Sequence, residues 1–301
     1  MGALASVEGV CDVVQYAPRG AARGWLLIEV PHGATQGDDY FRVAREMKSP
    51  LPAQLEHFFF VNTDEGAPEG AARLGEVLSR DGVGVVVARC RLPRTFIDTN
   101  RVIDLAQQGK VVAGLTAGVA SYITHPDDLA WLLARHGEYH ALVKRAYELV
   151  CGERQGLALQ LHSYSPRSVG IEKVDENIVT ALHAAYEPAV YATWPERPPV
   201  DLIAATADRS FEAAPKLTAA LKAAYVEAGI AVGENQTYAL HPSTMGMAYA
   251  QAWPGRVMCV ELNRGLICSP FVPFAPSPVD AEKLARAVEP IARVVREAFA
   301  G

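Results

Sequence analysis

The sequence contains no run of about 18 apolar residues, which leaves out a membrane-spanning helix. A basic-then-apolar leader is also missing, and its absence predicts a cytoplasmic protein. Cysteine is scarce and scattered. Cys11, Cys90, Cys151, Cys259 and Cys268 are odd in number and share no paired spacing, which argues against a disulfide framework or a zinc ribbon and for a reduced compartment. There is no excess of positive charge either: Lys and Arg total 28 against 34 for Asp and Glu, a net charge of -6 that argues against a broad nucleic-acid footprint. No Pro/Gly/Ser-rich linker, charge run or internal repeat divides the 301 residues, so 1–301 reads as a single α/β domain.

What is present is a set of apolar runs that end in chemistry. Residues 156–166 run through Leu157-Ala158-Leu159-Gln160-Leu161 and then deliver His162, Ser163, Tyr164 and Ser165. Such a run predicts a buried strand, and open α/β sheets keep their sites at strand ends. A histidine there can be a metal ligand, a general base or a buried, hydrogen-bonded core residue. A second run, residues 24–30, ends in the same way with Pro31-His32-Gly33, where the glycine lets the backbone turn sharply. Two histidines from two strand ends suit zinc, which takes neutral imidazole nitrogen readily.

Between and after these runs the pattern alternates. Residues 35–47 predict a loop and a short helix, 57–62 (His57-Phe58-Phe59-Phe60-Val61-Asn62) a strand, 67–79 a helix and 83–88 a β-branched strand. Residues 126–150 predict a long helix opened by Pro126 and two aspartates, with Tyr139-His140 packed or bonded beneath the site. Residues 184–209 are proline-rich and irregular, 210–228 and 281–299 predict helices, and 230–232 a short strand. The last strand, 256–264, is apolar in its middle except for Glu261, a carboxylate that is expensive to bury unless it is paired or functional. Arg91, Arg94 and Arg101 lie within eleven residues beside Asn100. They offer either a carboxylate-binding site or a solvated loop paired with Asp98.

In chain order the residues are Pro31-His32-Gly33, Asp64-Glu65-Gly66-Ala67, Arg94, Asp98-Thr99-Asn100-Arg101, Tyr139-His140, His162-Ser163, Asn235 with Tyr238, and Val260-Glu261-Leu262-Asn263-Arg264. This series resembles the N-formylglutamate amidohydrolase family over roughly residues 24–270. His162-Ser163-Tyr164-Ser165, Val260-Glu261-Leu262 and Asn100-Arg101 are also similar to segments of the wider zinc carboxypeptidase fold. The resemblance implies a three-layer α/β/α architecture, with a mixed sheet of about eight strands and helices on both faces, and one catalytic zinc per chain.

It also implies roles. His32, His162 and an acidic residue hold the metal; Glu261 is the general base and Arg94 the oxyanion stabiliser. Asn100 and Arg101 bind a substrate carboxylate, and Tyr238 or His241 closes over it. The carboxypeptidase H-x-x-E pair is absent, because Thr35 stands where its glutamate would. The acidic ligand is therefore expected at Asp64, before the Gly-Ala helix, with Asp39 and then Glu65 as alternatives. Gln236-Thr237-Tyr238 and Cys259 also depart from the family's Pro-Tyr step and its glutamine before the strand glutamate.

The expected reaction is hydrolysis of the amide of an N-acyl amino acid such as N-formylglutamate. Peptide cleavage and a non-catalytic, ligand-binding relative are the other readings. A closed pocket with two or more arginines favours the small substrate, an open groove favours peptides, and a Glu261 turned away from the metal site favours the non-catalytic protein. A structural pairing of Glu261 with Arg264 or Arg101 is the remaining alternative for that residue.

Overall fold

The computed structural model describes residues 4–112, 115–171 and 173–300. In chain order its elements are β1 (Cys11–Tyr16), β2 (Gly24–Val30), α1 (Gly37–Ala44), α2 (Leu55–Asn62), α3 (Ala67–Arg80) and β3 (Val83–Cys90). A small hairpin, β4 (Val111–Val112) and β5 (Leu115–Thr116), precedes the long helix α4 (Pro126–Tyr147) and β6 (Leu157–Tyr164). Then come α5 (Ile178–Tyr186), α6 (Pro188–Tyr191), β7 (Val200–Leu202), α7 (Pro215–Glu227) and β8 (Val232–Glu234). The chain closes with α8 (Met245–Ala252), β9 (Val257–Asn263), α9 (Arg264–Ile267) and α10 (Ala281–Ala298).

One mixed sheet organises these elements in the order β1-β3-β2-β6-β9-β7-β8. Its centre, β3-β2-β6-β9, is parallel, while β1 joins β3 and β7 joins β9 in antiparallel fashion. The parallel centre explains the near-continuous apolar runs, because both of its faces are covered. Leu26, Ile28, Val30, Leu157, Leu159, Leu161, Met258, Val260 and Leu262 pack in one core with α3, α7 and α10. Leu27, Ala158, Val257 and Cys259 belong to a second core with α1, α2, α4, α5 and α8. Alternation of side chains along a strand therefore puts Glu29, Gln160, His162 and Glu261 on this second face.

The structure corrects the expected elements in two places. Residues 57–62 lie in the helix α2, since a run of three phenylalanines is apolar on every side and carries no period that separates helix from strand. Phe58, Phe59 and Phe60 are all buried. The irregular stretch 184–209 contains α6 and contributes β7, a strand of 3 residues, to the sheet. Among the described residues the main sheet has seven strands, in keeping with the mixed sheet of about eight that was expected. Among the described residues no helix is long and apolar enough to cross a membrane.

Candidate metal centre and its cavity

His32 lies two residues beyond β2, and His162 stands on β6, the neighbouring parallel strand. Asp64 occupies the turn between α2 and α3 and reaches both: its Oδ2 is 3.2 Å from His32 Nδ1 and 2.8 Å from His162 Nδ1. All three residues are buried, and one ligand atom from each lies within 4.8 Å of the others. Gly33 holds the first histidine in place through closeness, since a Cβ there would sit 2.6 Å from Arg89 Cγ and 3.0 Å from the Val30 carbonyl oxygen. Its backbone is not left-handed.

The remaining nitrogen of His32, Nε2, is 2.8 Å from Asp98 Oδ1. With Asp98 accepting the Nε2 proton, Nδ1 keeps its lone pair for the cluster, the arrangement by which a carboxylate orients a metal-ligating imidazole. Two imidazoles and one carboxylate form a donor set that zinc accepts with a coordination position left open. The residues fit a single divalent ion.

Electrostatics follow from who faces whom. Burial pushes the Asp64 carboxyl up, but His32 and His162 outweigh it and hold the group below its ordinary range. Burial likewise opposes ionisation of Asp98, and Arg101 and Arg94 override it. Their guanidinium nitrogens stand 3.6 and 3.0 Å from Asp98 Oδ2. His162 is raised despite burial, through Asp64 and the charge of Glu261.

Glu261 pairs in register with His162 across β6 and β9. Its Oε2 is buried, with no hydrogen-bond partner among the described residues. Burial raises its pKa against the pull of His162. The two arginines expected as its structural partners, Arg264 and Arg101, are occupied elsewhere. Arg264 bonds Glu65 at 3.2 Å and the Phe60 carbonyl at 2.8 Å, while Arg101 faces Asp98.

These groups border one cavity of about 220 Å³, which His32, Asp64, His162, Glu261, Arg94, Asn100, Arg101 and Tyr238 all line. No protein-family model and no curated protein matches the sequence. Solved structures do. The crystal structure of N-formylglutamate amidohydrolase from Ralstonia eutropha JMP134 is 18% identical with a TM-score of 0.58, over 95% of this chain and 98% of that one. A gene product of Agrobacterium tumefaciens is 16% identical with a TM-score of 0.53, over 96% of this chain and 94% of that one. The chain shares their fold. At these identities the likeness is one of architecture, and the chemistry rests on the residues of the cavity.

The alternative acidic ligands lie elsewhere. Asp39 is 2.7 Å from Arg91 Nε, and Glu65 receives Arg264 and the Ser277 backbone N–H. His241 bonds Ser243 Oγ at 2.7 Å. Arg101 is tied down by Thr116 and Asn100 carbonyls at 2.9 and 3.1 Å, and Asn100 Oδ1 accepts from Gly246 N–H. Tyr139 lies beneath the cavity: it and Tyr147 each donate to buried Glu29 at 2.9 Å, as does Gln160 at 2.7 Å.

Sequence reasoning missed Arg197. It lines the cavity, donates to Tyr238 Oη at 3.0 Å and to Ser168 Oγ at 2.9 Å, and forms no ion pair among the described residues. The only sequence signal was its place in a proline-rich stretch too long for a connector. His57 and His183 pair at 2.9 Å between α2 and α5.

Proposed function

We propose that this chain is a zinc-dependent amidohydrolase, with one zinc per chain, that cleaves the amide bond of an N-acyl amino acid. The observation that carries the reading is Glu261: a carboxylate with a free oxygen, at the cavity wall, in register with one histidine of a His-Asp-His cluster. His32, Asp64 and His162 would hold the ion. Zinc, when bound, supplies Lewis acidity that polarises the acyl carbonyl and lets a water lose its proton near neutral pH.

Glu261 takes that proton as the water oxygen bonds to the acyl carbon. It returns the proton to the nitrogen as the C–N bond breaks, so that a carboxylic acid and a free amine leave. A raised pKa suits a group that must accept a proton and then release it. Arg94 stabilises the charge that develops on the carbonyl oxygen. Asn100 and Arg101 hold the α-carboxylate of the amino-acid half. Arg197, beside Tyr238, offers a second cation for an acidic side chain, as in a glutamyl substrate.

A cavity of about 220 Å³ bordered by several arginines favours such a small molecule over a peptide, since pockets for larger ligands run to roughly 300–1,000 Å³. Five free, buried cysteines accord with work in the reducing cytoplasm.

The test is metal content of the purified protein together with formate release from N-formyl-L-glutamate, with His162→Ala as control. One zinc per chain and turnover that the variant loses is the expected result. Zinc without formate release removes this substrate, and no metal in the unaltered protein overturns the reading.

A further inference from the structure

The arginines and the metal cluster account for only part of the cavity lining. Phe58 and Val61 on α2, Ile171 and Val174 in the segment before α5, and Ile178 and Leu182 on α5 give the same cavity an apolar wall, and all six belong to or pack against one apolar cluster. None of these residues has a place in the chemistry proposed above. A formyl group, with a single carbon, would leave this wall facing water, and protein interiors and pockets gain when apolar surface is covered.

The wall also has a position relative to the reacting carbonyl. Arg94, assigned to the developing oxyanion, reaches the carbonyl of Asn62 at 3.4 Å, in the last turn of the helix that carries Phe58 and Val61. The α-carboxylate binder Asn100 is tied instead to Gly246, beside Gln160. With these assignments the acyl half of the substrate would face α2 and also α5, which packs against α2 through the His57–His183 pair.

From this juxtaposition we infer that the site takes an N-acyl amino acid whose acyl group is an apolar chain of several carbons, seated against α2, α5 and the segment before α5. The inference rests on the N-acyl amino acid reading above and names its acyl class.

The experiment compares N-formyl-, N-acetyl-, N-butanoyl- and N-hexanoyl-L-glutamate in two measurements. One is kcat/KM of the zinc-loaded enzyme; the other is calorimetric affinity of the Glu261→Gln protein, which reads binding without turnover. Each well-buried methylene contributes about fourfold, so both quantities should rise at least about tenfold from formyl to hexanoyl. Ile171→Asp, which places a charge in the wall from a half-buried position, should cut that hexanoyl-to-formyl ratio about tenfold; Leu182→Asp repeats the test from α5. Turnover of N-formylglutamate with no rise along the series overturns the acyl inference and leaves the hydrolase reading standing. Absence of turnover for all four overturns the hydrolase reading; the calorimetric series then decides the wall, a rise that Ile171→Asp removes supporting it and a flat series sinking it.

Discussion

Along β6, Leu157, Leu159 and Leu161 enter the layer formed with α3, α7 and α10, while Gln160 and His162 stand on the other face above Glu29 and beside Glu261. The same strands thus carry two different environments on alternate residues. The first face is closed hydrocarbon, and its stability comes from removing side chains from water. The second exchanges part of that apolar burial for polar groups, each of which needs a partner or a function. Glu29 has its partners in two tyrosines and a glutamine, Asp98 in two arginines and a histidine, and Glu261 Oε2 has none. An unpartnered carboxylate beside a His-Asp-His cluster, at the wall of a cavity, marks where the protein meets something else.

Two substitutions separate the faces. On the polar face, Glu261→Gln should lower kcat on an N-acyl amino acid by about 10²–10⁴-fold with metal content unchanged; turnover near that of the unaltered enzyme would remove Glu261 from the chemistry. On the apolar face, Leu159→Ala should destabilise the protein by about 2–5 kcal/mol in urea unfolding and leave kcat/KM intact well below the transition. Loss of activity without loss of stability would show that the faces are not independent.

The smallest effect concerns His140, on the α4 side of the polar face. Burial, with His136 beside it, pushes its pKa down to about 4. A histidine depressed on folding takes up its proton more readily when unfolded, so its contribution is fully present above the ordinary pKa of about 6.5 and is lost as pH falls toward 4. Between pH 7 and pH 5 the loss should be about 2 kcal/mol, and His140→Gln should remove that share of the pH dependence. Equal slopes for the two proteins would contradict it.

Much of the second face was legible before the structure. The runs around Leu159, Val85 and Val260 are strands because long apolar stretches rich in Leu and Val need two covered faces, and a lone His or Glu inside such a run stands out. The helix α2 was not legible, because its phenylalanines show no period, and β7 was not, because a strand of 3 residues is too short to carry one. Arg197 was hidden for a related reason: nothing in a proline-rich stretch indicates which side chain turns inward.

From the sequence alone came the α/β class, the two strand-end histidines, the buried Glu261 and the arginine segment, all of which are local patterns of burial and charge. Only the tertiary structure decided which carboxylate belongs to which cation. Asp39, Asp64, Asp98, Glu65 and Glu261 are alike as residues, and they differ in their distances to Arg91, His32, Arg94, Arg264 and His162 once the sheet is formed. Coulomb energy and desolvation depend on those distances and on the surrounding burial, and neither is written in spacing along the chain.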